Sequence, residues 1–205
     1  MLFDEIKLPV QKRSKARLEL VLQTTVKILV EQGINHCTIP EIAAQSNLPK
    51  ITIYQYFPTV NHLFTILIKR YLEALQQYVL FKNESYKAWN TKAICTDLIS
   101  KVAEFYNTNP AASTLILGGP VHVEGLNLQE IVIEKIAQDL LQVFAQKTHP
   151  LILVQDQDGV NLVEMVFALM KHSFYKYGKV TQQMLDECLF VSEIYIRGKG
   201  HDFEI

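Results

Sequence analysis

The sequence predicts an all-α protein of about nine helices, and three observations carry that prediction. Apolar residues recur at spacings of three and four along most of the chain, which gathers them on one face of a helix. Almost no stretch shows the period-two alternation of a half-buried strand. Glycine and proline mostly fall between the periodic runs, where they delimit helices instead of breaking them.

The first helix is expected over residues 14–32, presenting Leu18, Val21, Thr25, Ile28 and Leu29 on one side. Gly33 then supplies a left-handed stop, with Ile34 able to pack back. Thr38-Ile39-Pro40-Glu41 has the form of a capping box, in which the Thr38 hydroxyl takes the Glu41 N–H and the Glu41 carboxylate reaches back to the Thr38 N–H. Pro40 fits the first turn of this second helix, where its missing donor is not needed. Ile42 and Ala43 face inward, and Asn47 sits where the chain must reverse through the left-handed region. Leu48 can plug the corner, Pro49 sets φ for a third short helix, and Ile53 and Phe57 point back to the core. Pro58-Thr59 separates that helix from a fourth over 60–81. Further helices are expected over 91–107, 110–117, 127–148, 159–177 and 181–197.

Charge is segregated. The whole chain carries −1, but residues 1–70 hold nine Lys/Arg against five Asp/Glu, while the remainder holds eleven against sixteen. Only the N-terminal third suits a polyanion. The opening stretch has Asp4 and Glu5 where a secretory leader needs positive charge, and no apolar run is long enough to span a bilayer. A cytoplasmic location is expected. Cys37, Cys95 and Cys188 are odd in number and far apart, which fits buried thiols instead of disulfides or zinc ligands.

On a wheel of 100° per residue, Gln55 lies opposite the Ile53/Phe57 edge of the third helix, flanked by Ile51 and Thr52, with Tyr54 and Tyr56 on the shoulders. That face suits a DNA groove. A glutamine amide can pair bidentately with adenine, Ile51 and the Thr52 methyl can touch thymine methyls, and tyrosine hydroxyls and Lys50 can hold phosphates. A basic arm containing Lys12, Arg13, Lys15 and Arg17 precedes the first helix, adding charge for a duplex backbone.

Residues 14–64 resemble the DNA-binding domain of the TetR family of bacterial transcriptional regulators. The matching positions are Thr38, Ile42-Ala43, Thr52-Ile53-Tyr54-Gln55-Tyr56-Phe57 and Leu63-Phe64. Four positions depart from the family pattern: Asn47 and Ile51 replace glycines, Pro49 replaces a capping serine, and Val60 replaces a lysine. The resemblance implies a helix-turn-helix domain, set here at residues 1–58, and a helical effector-binding and dimerisation domain at 59–205. It implies DNA contacts from Arg13, Lys15, Arg17, Thr38, Lys50, Ile51, Thr52, Tyr54, Gln55 and Tyr56. Phe105, His122 and Phe167 are candidate walls of an effector pocket.

The last two helices are apolar on more than one side, which a partner subunit would explain. Phe174, Leu185, Cys188, Leu189 and Ile196 are the expected homodimer interface. The expected function is a regulator, in the usual case a repressor, that leaves a palindromic operator when a small-molecule effector binds. The alternative is a dimeric helical interaction protein of the same fold that has lost DNA binding. No catalytic, dinucleotide or P-loop motif occurs, so neither an enzyme nor a cofactor or metal requirement is expected. Asp156-Gln157-Asp158-Gly159 lacks the third early ligand and late glutamate of a calcium loop and reads as a solvated loop capping the next helix. His122 and Glu124 have no third partner at helical spacing, and His172 reads as a satisfied core histidine.

Overall fold

The computed structural model describes residues 12–79, 84–118 and 123–201. Among these, nine helices occur in order: α1 (Lys12–Gln32), α2 (Ile39–Ser46), α3 (Lys50–Tyr54), α4 (Val60–Val79), α5 (Thr91–Thr108), α6 (Pro110–Ala112, continuing as a π turn over Ser113–Leu117), α7 (Val123–Ala145), α8 (Asp156–Tyr177) and α9 (Gln182–Lys199). Short 3-10 turns lie at Ile34–His36 and Glu84–Ala88. The only strand pairing among the described residues is a two-residue antiparallel pair, β1 (Ile152–Leu153) with β2 (Gly200–His201). The Val154 N–H continues this pairing to the Lys199 carbonyl at 2.9 Å, so backbone groups with no helix to join still find partners.

By packing, residues 1–71 with 110–128 form one compact unit and residues 72–109 with 129–205 form another. Pro58, where the sequence divides the chain, falls inside the first unit. In that unit α1 packs on α2 and on α6, and α2 packs on α3. Leu22, Ile28, Ile42, Ile53, Phe57 and Leu63 are almost wholly buried, each contributing about 1.5–3 kcal/mol of transfer free energy.

Local details differ from expectation. Gly33 has φ 86° and ψ 170°, so it stops α1 in the extended positive-φ region that essentially only glycine occupies, not in the left-handed helical one. Its N–H closes on the Ile28 and Leu29 carbonyls, both at 3.2 Å. The capping box is half formed. Thr38 Oγ1 accepts the Glu41 N–H at 3.3 Å, but the Thr38 N–H goes to the His36 carbonyl at 2.9 Å and Glu41 Oε1 accepts from Gln45 instead. The 3-10 turn before α2, which periodicity could not reveal, takes the donor that the glutamate was expected to satisfy.

In the second unit, α8 and α9 form a hairpin around Gly178, whose φ of 69° and ψ of 6° give a left-handed cap. Ser173 Oγ donates to the Lys179 carbonyl at 2.9 Å and accepts the Thr181 N–H at 3.0 Å. Asn107 at the end of α5 pins the same turn from both sides, donating to the Val180 carbonyl and accepting its N–H at 2.8 Å each. At the opposite end, Lys147 Nζ donates to Thr91 Oγ1 at 2.6 Å. The chain after α7 therefore meets the start of α5, and the two helices run antiparallel.

Asp158 is not in a solvated loop. It stands in the first turn of α8, buried, and accepts the Gln155 N–H and the Tyr195 hydroxyl at 3.0 Å each, with Lys199 Nζ at 3.3 Å. Burial alone would raise this carboxyl's pKa, but those three donors outweigh it and hold it below the ordinary value. His172 is likewise corrected: it is exposed on α8, because the apolar residues of that helix cover only the opposite face. No described helix is long and apolar enough to cross a membrane.

Candidate nucleic-acid interface and effector cavity

The helix-turn-helix is built by three local devices. Thr38 and Pro40 set the start of α2. Asn47 then turns the chain with φ 53° and ψ 36°, donating its N–H toward the Ala43 and Ala44 carbonyls, and it is the only described non-glycine residue at positive φ. Leu48 N–H also returns to the Ala43 carbonyl, at 3.2 Å, and the small buried Ala43 permits the close crossing. Pro49, with φ −58° and ψ 136°, occupies the N-cap of α3 and offers no side-chain oxygen. Loss of such an oxygen costs a helix on the order of 1 kcal/mol. Burial of Ile53 and Phe57 holds α3 in place instead.

That burial fixes which face looks outward. Lys50, Ile51, Tyr54 and Gln55 are exposed, with Ile51 at 69%. Thr52 and Tyr56 are half-buried, the Tyr56 ring meeting Phe57 edge-on at 6.5 Å. Gln55 is the C-cap of α3, so its amide extends from the helix end. Thr38 is exposed at the start of α2, though its hydroxyl is engaged as a cap. An isoleucine so exposed beside two aromatic hydroxyls and an amide is a poor solvent face and a good base-edge face.

The basic residues do not form an extended arm at 12–17: the chain is already helical from Lys12. Lys12, Arg13 and Lys15 are exposed and Arg17 is half-buried. No acidic residue accompanies them in the first turn, so cations crowd the positive end of the α1 dipole, an arrangement that disfavours the helix unless an anion is present. Glu19 instead pairs with Arg70 of α4 at 2.9 Å. At the start of α4, Thr59 Oγ1 meets His62 Nδ1 at 2.8 Å, with His62 buried. Sequence reading missed this pair because a histidine at the third helical position is not a standard capping signal.

The second unit contains a partly open apolar cavity of about 80 Å³ between α4, α5, α7, α8 and α9. Phe167 is on its wall, within 6.4 Å of the Tyr106 ring. Phe105 is buried but lies off the cavity, packed on Tyr78 and Tyr106 at 5.9 and 5.7 Å between ring centres. His122 lies outside the described residues, as do the side-chain surroundings of Glu124. Reading the sequence missed Gln129, Cys95, Tyr106 and Met170 on the wall. Their helical spacing marks them as inward-facing, but spacing cannot show where facing helices fail to touch.

Of the expected interface residues, Cys188 and Ile196 are buried within the chain itself, with Cys188 Sγ donating to the Val166 carbonyl at 3.7 Å. They face α8 and α5, not a partner. Phe174, Leu185 and Leu189 are half-buried. The exposed apolar residues of α9 are Phe190 and Ile194, on the face opposite Cys188, Ser192 and Ile196. The apolar excess that suggested a partner therefore divides between a cavity wall and an outer patch.

Residues 21–65 match the family model described as bacterial regulatory proteins, tetR family. That match covers the whole helix-turn-helix. Across a longer stretch the chain is similar to nucleoid occlusion factor SlmA of Haemophilus ducreyi, 29% identical over 126 residues, and of Glaesserella parasuis, 27% identical over 114 residues. These stretches cover 60% and 55% of this chain and the same shares of those relatives. The tetR-family fold extends further than the sequence match. A TetR-family transcriptional regulator from Streptomyces coelicolor superposes with a TM-score of 0.68 at 16% identity, covering 91% of this chain and 98% of its own. The multidrug binding protein EbrR, in complex with imidazole, superposes with a TM-score of 0.61 at 14% identity over 86% and 94% of the two chains.

Proposed function

We propose that this chain is a ligand-responsive, DNA-binding transcriptional regulator of the tetR family. The observation that carries the reading is the outward face of α3: Ile51, Tyr54 and Gln55 stand in solvent while Ile53 and Phe57 anchor the helix from behind. Gln55, Ile51 and Thr52 read base edges; Lys50, Tyr54, Tyr56, Thr38, Arg13, Lys15 and Arg17 set the register on phosphates. The protein acts as a homodimer, non-enzymatically and in the cytoplasm, through Phe174, Leu185 and Leu189 together with Phe190 and Ile194. Two reader helices then enter successive major grooves about 34–36 Å apart or slightly more, and the operator is a palindrome. Helix α4 begins beside the reader and continues to Val79. An effector among the helices favours the tilt of α4 that it fits better, and a coupling of about 1–3 kcal/mol releases the operator.

The second reading, a dimeric interaction protein without DNA binding, draws on Val60 and on Lys50 being the one cation of α3. The nucleoid occlusion named for the SlmA relatives would keep the DNA contact and assign it another use. Selection of binding sites from random duplex DNA decides between them. The regulator reading expects a palindromic site, loss of preference at defined positions with Gln55→Ala, and uniform weakening with Arg13→Ala. Failure to enrich any site at low salt sinks it.

A further inference from the structure

The turn between α8 and α9 carries a concentration of positive charge that the rest of its unit does not. From Met165 to Leu185 the chain has no Asp or Glu, but it has Lys171, His172, Lys176 and Lys179. Elsewhere in the second unit Lys87, Lys92, Lys101, Lys135 and Lys199 each meet a carboxylate within 3.3 Å. No carboxylate pairs with Lys171, Lys176 or Lys179 among the described residues. Lys171 and Lys176 lie instead over the rings of Phe167 and Tyr177, at 5.6 and 5.0 Å from the ring centres. Attraction to the C-terminal end of the helix dipole accounts for Lys176 alone, since Lys171 is more than a turn earlier and Lys179 follows the helix.

Tyr175 stands among these cations. At about 100° per residue, Lys171, His172, Tyr175 and Lys176 fall within about 140° of one another on α8, on the side away from the buried Leu162, Met170 and Ser173. Tyr175 is 89% exposed, more than any other large hydrophobic residue described, so its ring is open to a ligand. The turn itself is fixed: Ser173 Oγ bridges the Lys179 carbonyl and the Thr181 N–H, and Asn107 holds both backbone groups of Val180. Ordering of the site therefore precedes any ligand.

A polyanion suits such charge, and the tyrosine narrows which one. An anionic bilayer takes up an apolar helix face, whereas the outward side of α8 presents Ala168, His172 and Tyr175 among the lysines. An acidic peptide or a DNA duplex would engage the lysines and leave the Tyr175 ring in water, since duplex bases stack on one another. A single strand offers phosphates and free base faces together. Stacking of its bases on aromatic rings beside a positive track is how unpaired strands are held without sequence preference.

We propose that the α8–α9 turn binds single-stranded DNA, with one base stacked on Tyr175 and the neighbouring phosphates on Lys171, Lys176 and Lys179. The strand is assigned as DNA because the regulator reading above puts the chain on DNA, and in that one respect the inference rests on it; the site shares no residue with α3. The test is fluorescence anisotropy of the full chain at low salt with a labelled oligothymidine of about twelve nucleotides. Oligouridine should compete no better than unlabelled oligothymidine, and a duplex of the same length, polyglutamate and anionic vesicles at least about fivefold less well. Tyr175→Ala should weaken strand binding at least about fivefold and Tyr175→Phe by less than about twofold, both with the sedimentation behaviour of the wild type. Lys176→Ala combined with Lys179→Ala should weaken it as well and reduce the slope of log affinity against log salt by about 1.4. Arg13→Ala should leave it unchanged.

Absence of binding by the folded wild type overturns the proposal. So does binding that survives the Tyr175→Ala and lysine variants, that Arg13→Ala removes, or that duplex, polyglutamate or vesicles reverse as well as oligothymidine does. Tighter binding of oligouridine overturns the assignment to DNA. A Tyr175→Ala variant that sediments differently from the wild type places the ring in a subunit contact and overturns its role in stacking. The site selection described above is run on the same preparation. An enriched duplex site without strand binding defeats only the turn, and strand binding without an enriched site defeats only the regulator.

Discussion

Ile51 and Ile53 stand two residues apart on α3, yet the first is 69% exposed and the second is completely buried. Two residues turn a helix by 200°, so identical side chains fall on opposite sides and do different work. Ile53→Ala should destabilise the chain by about 2–5 kcal/mol, as removal of a core isoleucine does. Ile51→Ala should leave stability within about 0.5 kcal/mol and reduce preference for thymine at one operator position. Urea denaturation and quantitative DNA binding on both variants check this; a large stability loss in Ile51→Ala would place that side chain in the core.

Asn47 is the left-handed hinge of the helix-turn-helix. Asn47→Ala should lower stability by about 1 kcal/mol, because a Cβ without asparagine's local hydrogen bonding disfavours that conformation. Asn47→Gly should match or exceed the wild type. Melting temperatures of the two variants measure the difference. Equal melting of all three proteins would mean that the turn relaxes without loss.

The Asp158 carboxylate ties Gln155, Tyr195 and Lys199 together, and its pKa is lowered in the folded chain. A depressed folded value gives stability that is fully present above the unfolded carboxyl pKa, about 3.9, and is lost as pH falls through the lower folded value. Asp158→Asn should therefore be less stable than the wild type at pH 7, and the gap should close as pH falls below about 4. Denaturant titrations at both ends of that range test it. A gap independent of pH would assign the effect to packing alone.

Phe190 and Ile194 form the outward apolar face of α9. A charge placed there should split a homodimer without unfolding the chain. Phe190→Glu combined with Ile194→Glu is expected to sediment as a monomer at concentrations where the wild type is a dimer, whereas Cys188→Ser should leave the oligomeric state unchanged and lower stability, since Cys188 faces inward. A wild-type monomer, or a dimer that survives both glutamates, would remove this surface from the interface.

The order and type of the nine described helices could be read from the sequence, because amphipathic spacing is a local property that each helix carries with it. So could the orientation of α3: Ile53 and Phe57 announce an inward edge, and the exposed face opposite follows from helix geometry. Competition between partners could not be read. The Glu41 carboxylate lost the Thr38 N–H to a 3-10 turn, and Asp158, which caps α8 through the Gln155 N–H as expected, is buried there by Tyr195 and Lys199, nearly forty residues on, which no local pattern announces.

Inward and outward faces of α8 and α9 look alike in one dimension, since hydrophobicity does not record what covers a side chain. Only packing turned Cys188 and Ile196 into the core and left Phe190 and Ile194 outside. The cavity is the extreme case, for a void belongs to no residue. It arises where the stripes of five helices fail to meet, a sum of distances that exists only after the chain has folded.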